Sequence, residues 1–179
     1  WGLVGLHNMP APRGKKCHIR AGGDVIIGTD AGAIPLSASI DKDPAALSAA
    51  AVSSAIETSW LKSTRTWDAI QAWEMVKWPQ ENMLIVSLPH EGAISFVANI
   101  QTGRWAKYIG WDAQCFAVFD ERLYFADISG NVFAAERGGT DNGAAYIARL
   151  PYIASDFESP AQSKVTGLMR GTFPPVGPP

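Results

Sequence analysis

Three histidines, His7, His18 and His90, are the side chains best suited to move a proton or bind a metal ion near neutral pH. They lie far apart in the sequence, and no HExxH motif or Cys/His cluster gives them the spacing of metal ligands. His90 stands beside Glu91 in a predicted turn, which favours a solvated side chain. The sequence therefore predicts neither a metal centre nor a cofactor.

A second possible chemistry is hydrolysis by paired carboxylates, which requires two of them to face each other at about 5–10 Å. Asp120 and Glu121 are adjacent, but they occupy the centre of a predicted hairpin and are expected to point into solvent. Asp141 begins an Asp-Asn-Gly segment that is typical of a turn. No nucleophile elbow, Walker A loop or dinucleotide-binding glycine motif is present. We therefore predict that the protein is not an enzyme and that Asp120, Glu121, His90 and Asp141 lie on turns without a shared pocket.

The seven tryptophans raise the possibility of a carbohydrate-binding surface, because exposed aromatic rings stack on sugars. Trp73, Trp78, Trp105 and Trp111 fall at predicted strand positions or strand ends, where large rings ordinarily fill the space between sheets. Burial is therefore the favoured interpretation of these four side chains.

Composition excludes several classes of protein. The 179 residues are 47% apolar, which excludes a disordered tail and allows a core that needs no disulfide or structural metal. A net charge of -2 disfavours binding to nucleic acid through its phosphates. Cys17 and Cys115 are far apart and are expected to be core residues. No apolar run suits a membrane span or a leader, and the chain begins at Trp1 in sequence typical of structured protein, so we expect a fragment.

Short β-rich runs alternate with tight turns over most of the chain. Strands are predicted at residues 23–29, 33–39, 73–78, 83–88, 93–100, 104–109, 113–119, 122–126, 131–135 and 144–150. The last eight form two sets of four, whose second strands begin at Met83 and Arg122, 39 residues apart. That spacing is typical of β-propeller blades. The predicted fold class is mainly β, with propeller-like four-stranded antiparallel blades and one inserted α-helix; a β-sandwich is the alternative.

The inserted helix is predicted over about residues 43–62, with Asp43 placed to cap it. Leu47, Ala51 and Ala55 follow one another at i, i+4 spacing and are candidate subunit contacts; packing of the helix on its own sheets is the alternative. The predicted organisation is a partial blade with an incoming segment at 1–40, the helix and a linker at 41–66, two four-stranded blades at 67–150, and a C-terminal strand with a Pro-rich extended tail at 151–179.

Two turns are expected to anchor the blades. In the first, Asn99 and Thr102 are placed to hydrogen-bond the turn backbone, Gly103 supplies a left-handed conformation, and Trp105 anchors the returning strand. The second is the turn at residues 128–130, in which Gly130 is the expected anchor. Both turns indicate architecture rather than catalysis.

Several runs of residues together resemble one protein family. The runs are FVANIQTGRW at 96–105, GWDAQC at 110–115, LYFAD at 123–127, GNV at 130–132 and GTDNG at 139–143. GGD at 22–24 and IPLS at 34–37, followed by the Ala-rich helix, extend the likeness to roughly residues 20–170. The chain thereby resembles the C-terminal part of the tail hub or nozzle proteins of short-tailed bacteriophages, also called tail tubular or packaged-DNA-stabilisation proteins.

This resemblance implies a structural virion protein with a propeller-like body, assembled as a ring, expected as a hexamer, beneath the portal and its adaptor. The expected partners are further copies, the adaptor, the portal and other tail proteins, and genomic DNA that passes through the channel without sequence-specific binding; no membrane is expected. The family has no catalytic residues to transfer. A near-neutral charge suits a wall along which DNA slides. The alternative is a receptor- or glycan-binding propeller at the tail tip.

Overall fold

The computed structural model describes residues 8–43, 46–67, 72–88, 94–138 and 143–144. The chain divides into two compact units, Trp1–Ala135 and Glu136–Pro179. All helices and strands of the described part lie in the first unit.

Three antiparallel sheets form the first unit. The first sheet contains β1 (His18–Ala21), β2 (Asp24–Thr29) and β3 (Gly32–Pro35). The second sheet contains β4 (Glu74–Trp78), β5 (Met83–Ser87), β6 (Ile94–Asn99) and β7 (Trp105–Ile109). The third sheet contains β8 (Ala113–Phe119), β9 (Arg122–Asp127) and β10 (Val132–Ala134). Along the chain, four helical elements follow the first sheet and precede the second: α1 (Leu36–Asp41), α2 (Leu47–Ala50), a 3-10 turn (Ser54–Ile56) and α3 (Glu57–Thr66).

The predicted mainly-β class is confirmed, and the strands of the second sheet begin and end within two residues of their predicted bounds. The first three strands of the next predicted blade are also present, as β8, β9 and β10. The fourth, predicted at 144–150, lies outside the described residues apart from Ala144, as does the predicted strand and tail at 151–179. The strand β1 was not predicted from the sequence.

The predicted strand at 33–39 is wrong in its second half, because the chain turns into α1 at Leu36. The reason is Asp24, whose carboxylate accepts hydrogen bonds from the Ser37 amide at 3.2 Å and the Ser37 hydroxyl at 2.6 Å. These bonds hold the pKa of Asp24 below its usual value. A carboxylate that binds an amide of the first helical turn favours a helix over a continued strand.

The single helix predicted over about residues 43–62 is also wrong. The described residues form the short helix α2, an extended residue at Ala51, the 3-10 turn and then α3, which continues to Thr66. At the break, the Ser53 hydroxyl accepts the amide of Ala33 at 2.9 Å, and the Val52 amide donates to the Ala33 carbonyl at 2.9 Å. Pairing with β3 thus replaces the helical hydrogen bonds that the alanine-rich sequence would otherwise form.

The three sheets pack face to face in chain order, with the second sheet in the middle. One face of the second sheet packs on the first sheet through Met75, Val86 and Phe96, and its other face packs on the third sheet through Ile85 and Val97. Trp60 of α3 fills the first of these two interfaces, where its ring stacks on Phe96 with centroids 5.8 Å apart and its indole nitrogen donates to the Thr29 carbonyl at 2.9 Å. The two larger parts of the core therefore lie one on each face of the second sheet, and a smaller cluster joins Ile34 of β3 to Leu47 and Ala51.

The first strands of the three sheets lie side by side. Lys16, just before β1, forms a parallel bridge with Glu74 of β4, and the Met75 amide donates to the Lys16 carbonyl at 3.0 Å. On the other side of β4, the Trp78 indole donates to the carbonyl of Glu121, in the turn that follows β8, at 2.8 Å. The strands β1, β4 and β8 consequently run in the same direction along one side of the stack.

Candidate functional site

The turn between β6 and β7 has the structure that the sequence predicted for it. The Asn99 side-chain oxygen accepts the amides of Gln101 at 3.1 Å and Thr102 at 2.9 Å, and also the Thr102 hydroxyl at 3.1 Å. Gly103 has a φ of 66°, in the left-handed region. The Trp105 indole donates to the Val52 carbonyl at 3.1 Å, so the returning strand is tied to the helical segment.

The turn between β9 and β10 is built in a similar way around Asp127. Its two carboxylate oxygens accept the amide and the side-chain nitrogen of Asn131, each at 2.8 Å. These bonds lower the pKa of Asp127, with the side-chain bond from Asn131 as the largest cause. Gly130 has a φ of 86°, in the left-handed region that glycine adopts readily.

Glu74 links all three sheets through its buried carboxylate. One oxygen accepts the Phe116 amide of β8 at 3.2 Å, and the other lies 3.4 Å from the Lys16 ammonium group next to β1. The Phe116 amide follows an irregularity of β8 between Ala113 and Cys115, which brings this part of the strand to β4. A buried carboxylate with two such partners holds the first strands of three sheets in register.

Arg13 fastens the first sheet to the helical segment. Its side chain is 2% exposed; it donates to the Trp67 carbonyl at 2.8 Å and the Thr64 carbonyl at 3.5 Å, at the C-terminal end of α3. The same guanidinium lies 3.1 Å from the Asp30 carboxylate and 5.3 Å from the ring centre of Trp73. A cation at the C-terminal end of a helix stabilises that end, and here it also anchors the β2–β3 turn.

Asp120 and Glu121 form the predicted two-residue turn, with φ values of 47° and 62°. Both side chains are exposed, and Trp78 binds only the Glu121 backbone. His90 and Asp141 lie outside the described residues, as do Trp1 and His7. Within the described part, these carboxylates do not converge across a cleft.

The structure corrects the predicted subunit contacts. Leu47 and Ala51 are buried in a cluster with Ile34 of the first sheet, whereas Ala55 is exposed in the 3-10 turn. The three residues do not share one helix face. The i, i+4 spacing assumed a continuous helix, and the helix is broken at Ala51. Leu47 and Ala51 therefore stabilise their own chain.

The third sheet has a largely apolar outer face, turned away from the second sheet. Alternate residues of its strands point to this face: Cys115, Ala117 and Phe119 of β8, Tyr124 and Ala126 of β9 with Arg122 at the edge, and Val132 and Ala134 of β10. Phe119 is 73% exposed and Val132 is 69% exposed. Cys115 is exposed as well, so the prediction that both cysteines are core residues is wrong for Cys115. Cys17 is buried, as predicted, and burial raises the pKa of its thiol to about 12.

Most of the aromatic rings fill space between sheets. Trp73 and Trp78 are buried, as predicted, while Trp105 and Trp111 are half-buried. Tyr108 packs edge-to-face on Trp111, and Trp111 stacks on Phe125 with centroids 5.3 Å apart. Beside them lies a shallow cavity of about 240 Å³ lined by Met83, Val97, Asn99, Arg104, Trp105, Ala106 and Tyr108.

No family model, curated protein or solved structure matches the chain. Among the residues that the structure describes, no three His, Cys, Asp or Glu side chains are grouped so that they could hold a metal ion. The helices in the same part of the chain are all too short or too polar to cross a membrane.

The sequence analysis did not identify Arg13, Glu74 or the outer face of the third sheet. Glu74 offers one signal, since it is the only charged residue in an otherwise apolar run, WEMV at 73–76. The outer face offers another, because AQCFAVF of β8 is apolar at both odd and even positions, which is typical of a strand covered on both sides.

Proposed function

We propose that the protein is a structural component of a short-tailed bacteriophage tail, in the ring-shaped hub or nozzle through which packaged DNA leaves. The observation that supports this proposal most is the stacking of three antiparallel sheets with their first strands side by side and parallel. Neighbouring blades of a β-propeller are arranged in this way. The three sheets are then consecutive blades, with α1 to α3 inserted after the first.

The bonds between the sheets suit a stiff channel wall. The second sheet is covered on both faces, and hydrogen bonds of Glu74 and Trp78 join it to the third sheet. Closely packed interiors resist compression, so a stack of this kind transmits force without yielding. Ejection of a DNA under pressure requires such a wall.

The charge of the chain suits a lumen that does not retain DNA. With 15 basic and 17 acidic residues, the chain neutralises few phosphates, so non-specific binding is weak at physiological salt. The proposed partners are further copies in a ring, the adaptor and portal, other tail proteins and the passing DNA.

Receptor or glycan binding at the tail tip is the second candidate. The shallow cavity beside Tyr108 favours it, because an aromatic ring there adjoins two polar side chains, Asn99 and Arg104. Sugar sites commonly combine these features.

Electron cryomicroscopy of particles that contain the full-length protein tests the leading proposal. We expect the three-sheet stack to fit density repeated around the channel below the portal. Location outside the tail channel, together with glycan binding that is abolished by Tyr108→Ala, would replace the proposal with the second candidate.

A further inference from the structure

Basic side chains are concentrated along one edge of the first sheet. Lys16, His18 and Arg20 alternate along β1 and the residues just before it, and all three are exposed, whereas the two residues between them are buried. Lys15, next to them, is exposed as well. The segment 15–21 contains no acidic residue. We call Lys15, Lys16, His18 and Arg20 the basic row.

The surface around the basic row carries no neutralising charge on its own sheet. His18 and Arg20 pair across the sheet with Ile27 and Val25, which are half-buried and uncharged. At the opposite edge of the sheet, Ile34 of β3 is buried in a cluster with α2. The basic row therefore lies at the polar edge of a face whose other edge is covered.

The acidic residues nearest to the basic row already have partners within the chain. Asp24 accepts hydrogen bonds at the start of α1, and Asp30 lies 3.1 Å from the buried Arg13. Glu74 lies 3.4 Å from Lys16, whose side chain is still 67% exposed. Among the described residues, no acid is paired with the other three members of the row. The positive charge of the row is therefore directed to a partner outside the described chain.

The spacing of the row suits a chain of phosphates. Side chains on one face of a strand are about 6.5–7 Å apart, which is close to the separation of neighbouring phosphates along one strand of nucleic acid. Arginine and lysine are the usual side chains that contact the phosphate backbone. The net charge of -2 does not oppose such a contact, because salt screens charges that lie more than about 8–10 Å away.

From these observations we infer that the basic row binds the phosphate backbone of DNA. The inference rests on the proposed function, which supplies DNA as the polyanion, and deepens it by naming a surface that the DNA touches as it leaves. The two lysines and Arg20 neutralise about three phosphates, so the contact weakens steeply with salt and does not hold the DNA in place.

The salt dependence of binding to a short labelled DNA duplex tests the inference on the purified chain. We expect the logarithm of the binding constant to fall with the logarithm of salt concentration with a slope of about -2 to -3. Arg20→Ala should weaken binding about 3–10-fold at low salt and reduce the slope by about one, while Arg20→Lys should bind like the wild type.

Lys107→Ala is the matched control. It removes the same charge from an exposed residue of β7, which lies at the opposite edge of the second sheet from β4. We expect this variant to bind DNA like the wild type. Absence of binding at low salt, or equal effects of Arg20→Ala and Lys107→Ala, would overturn the inference.

The choice of polyanion is tested by competition. Two duplexes of different sequence should bind equally, because phosphate contacts carry no sequence information. Polyglutamate of the same net charge should bind about tenfold more weakly, because its charges are less dense than those of a duplex and fewer counterions are released. Equal or tighter binding of polyglutamate would assign the row to an acidic protein partner instead.

Chemical footprinting gives a readout that does not depend on a variant. Acetylation of lysines, mapped by mass spectrometry, should be slowed by DNA at Lys15 and Lys16 and unchanged at Lys62 and Lys107, all of which are exposed. Protection of Lys62 or Lys107 in place of the two lysines of the row would put the DNA on another surface.

These results are separable from those on the proposed function. A protein located in the tail channel whose Arg20→Ala variant binds DNA as tightly as the wild type would overturn only the inferred surface. Binding of DNA through the basic row by a protein that is absent from the tail channel would overturn only the proposed function.

Discussion

The second and third sheets are built from strands of similar apolar content, yet their side chains have different surroundings. In β6 (ISFVAN) five of six residues are buried, while in β8 (AQCFAVF) only Ala113 and Phe116 are. Among the described residues, the second sheet has a neighbour on each face, whereas the third sheet has one on its inner face. Burial of a strand is thus decided by what packs on it and not by its apolar content alone.

The largest expected effect on stability comes from removing a phenylalanine ring of the second sheet, compared with removing one on the outer face of the third sheet. Phe96 is 1% exposed and Phe119 is 73% exposed. Phe96→Ala should lower the free energy of unfolding by about 3–5 kcal/mol through cavity formation, and Phe119→Ala by less than about 0.5 kcal/mol in the monomer. Urea unfolding at low protein concentration measures both. Comparable losses would mean that the outer face is covered within the chain.

A smaller effect distinguishes how much the hydrogen bond of Glu74 stabilises the fold from how much its ion pair does. Glu74→Leu leaves the buried Phe116 amide without its acceptor and should cost about 1–3 kcal/mol. Lys16→Met removes only the pair with an ammonium group that is 67% exposed, and should cost less than about 1 kcal/mol. Thermal unfolding of the two variants gives the comparison. If Lys16→Met is the costlier change, Glu74 stabilises the fold mainly through its ion pair to the first sheet and not through its hydrogen bond to the third sheet.

Substitution of two turn glycines tests whether the second and third sheets also differ in the stability of their turns. Gly103 in the second sheet and Gly130 in the third both have positive φ, and no neighbouring atom lies within 4 Å of the position that a Cβ would take. Alanine at either should cost about 1 kcal/mol from backbone strain alone. Gly23→Ala is the control, because Gly23 has open space around it and lacks a positive φ. Unequal losses at Gly103 and Gly130, measured by urea unfolding, would show that local turn geometry contributes to the difference between the sheets.

The smallest expected effect is on acid stability. Hydrogen bonds lower the pKa of Asp24, in the first sheet, and Asp127, in the third, below the ordinary value of 3.8. A lowered folded-state pKa stabilises the fold above the unfolded-state pKa, and that contribution is lost as the pH falls through the folded-state pKa. Stability should therefore decline below about pH 4. The double variant Asp24→Asn with Asp127→Asn should make this decline shallower, as measured by urea titrations between about pH 5 and pH 2.5. If the dependence of the unfolding free energy on pH is unchanged, other carboxylates cause the acid sensitivity.

The sequence by itself determined the local elements of this protein. Strand bounds in the second sheet follow from alternating apolar runs and from turns whose residues have their own conformational preferences, such as Asn99, Gly103 and Gly130. The lack of converging carboxylates at Asp120 and Glu121 also follows, since a two-residue hairpin turn directs both side chains outward. These features depend on residues close together in the chain.

Only the tertiary structure decided where the helix breaks, which cysteine is exposed and which sheet face the described residues leave uncovered. The helix breaks at Ala51 because Val52 and Ser53 pair with Ala33, and local helix propensity cannot register a partner so distant in the chain. Arg13 and Glu74 acquire their roles from groups 51 and 42 residues away, at Thr64 and Phe116. Cys115 is exposed because no described part of the chain packs on its side of the third sheet, a property of the stack and not of the residues beside it.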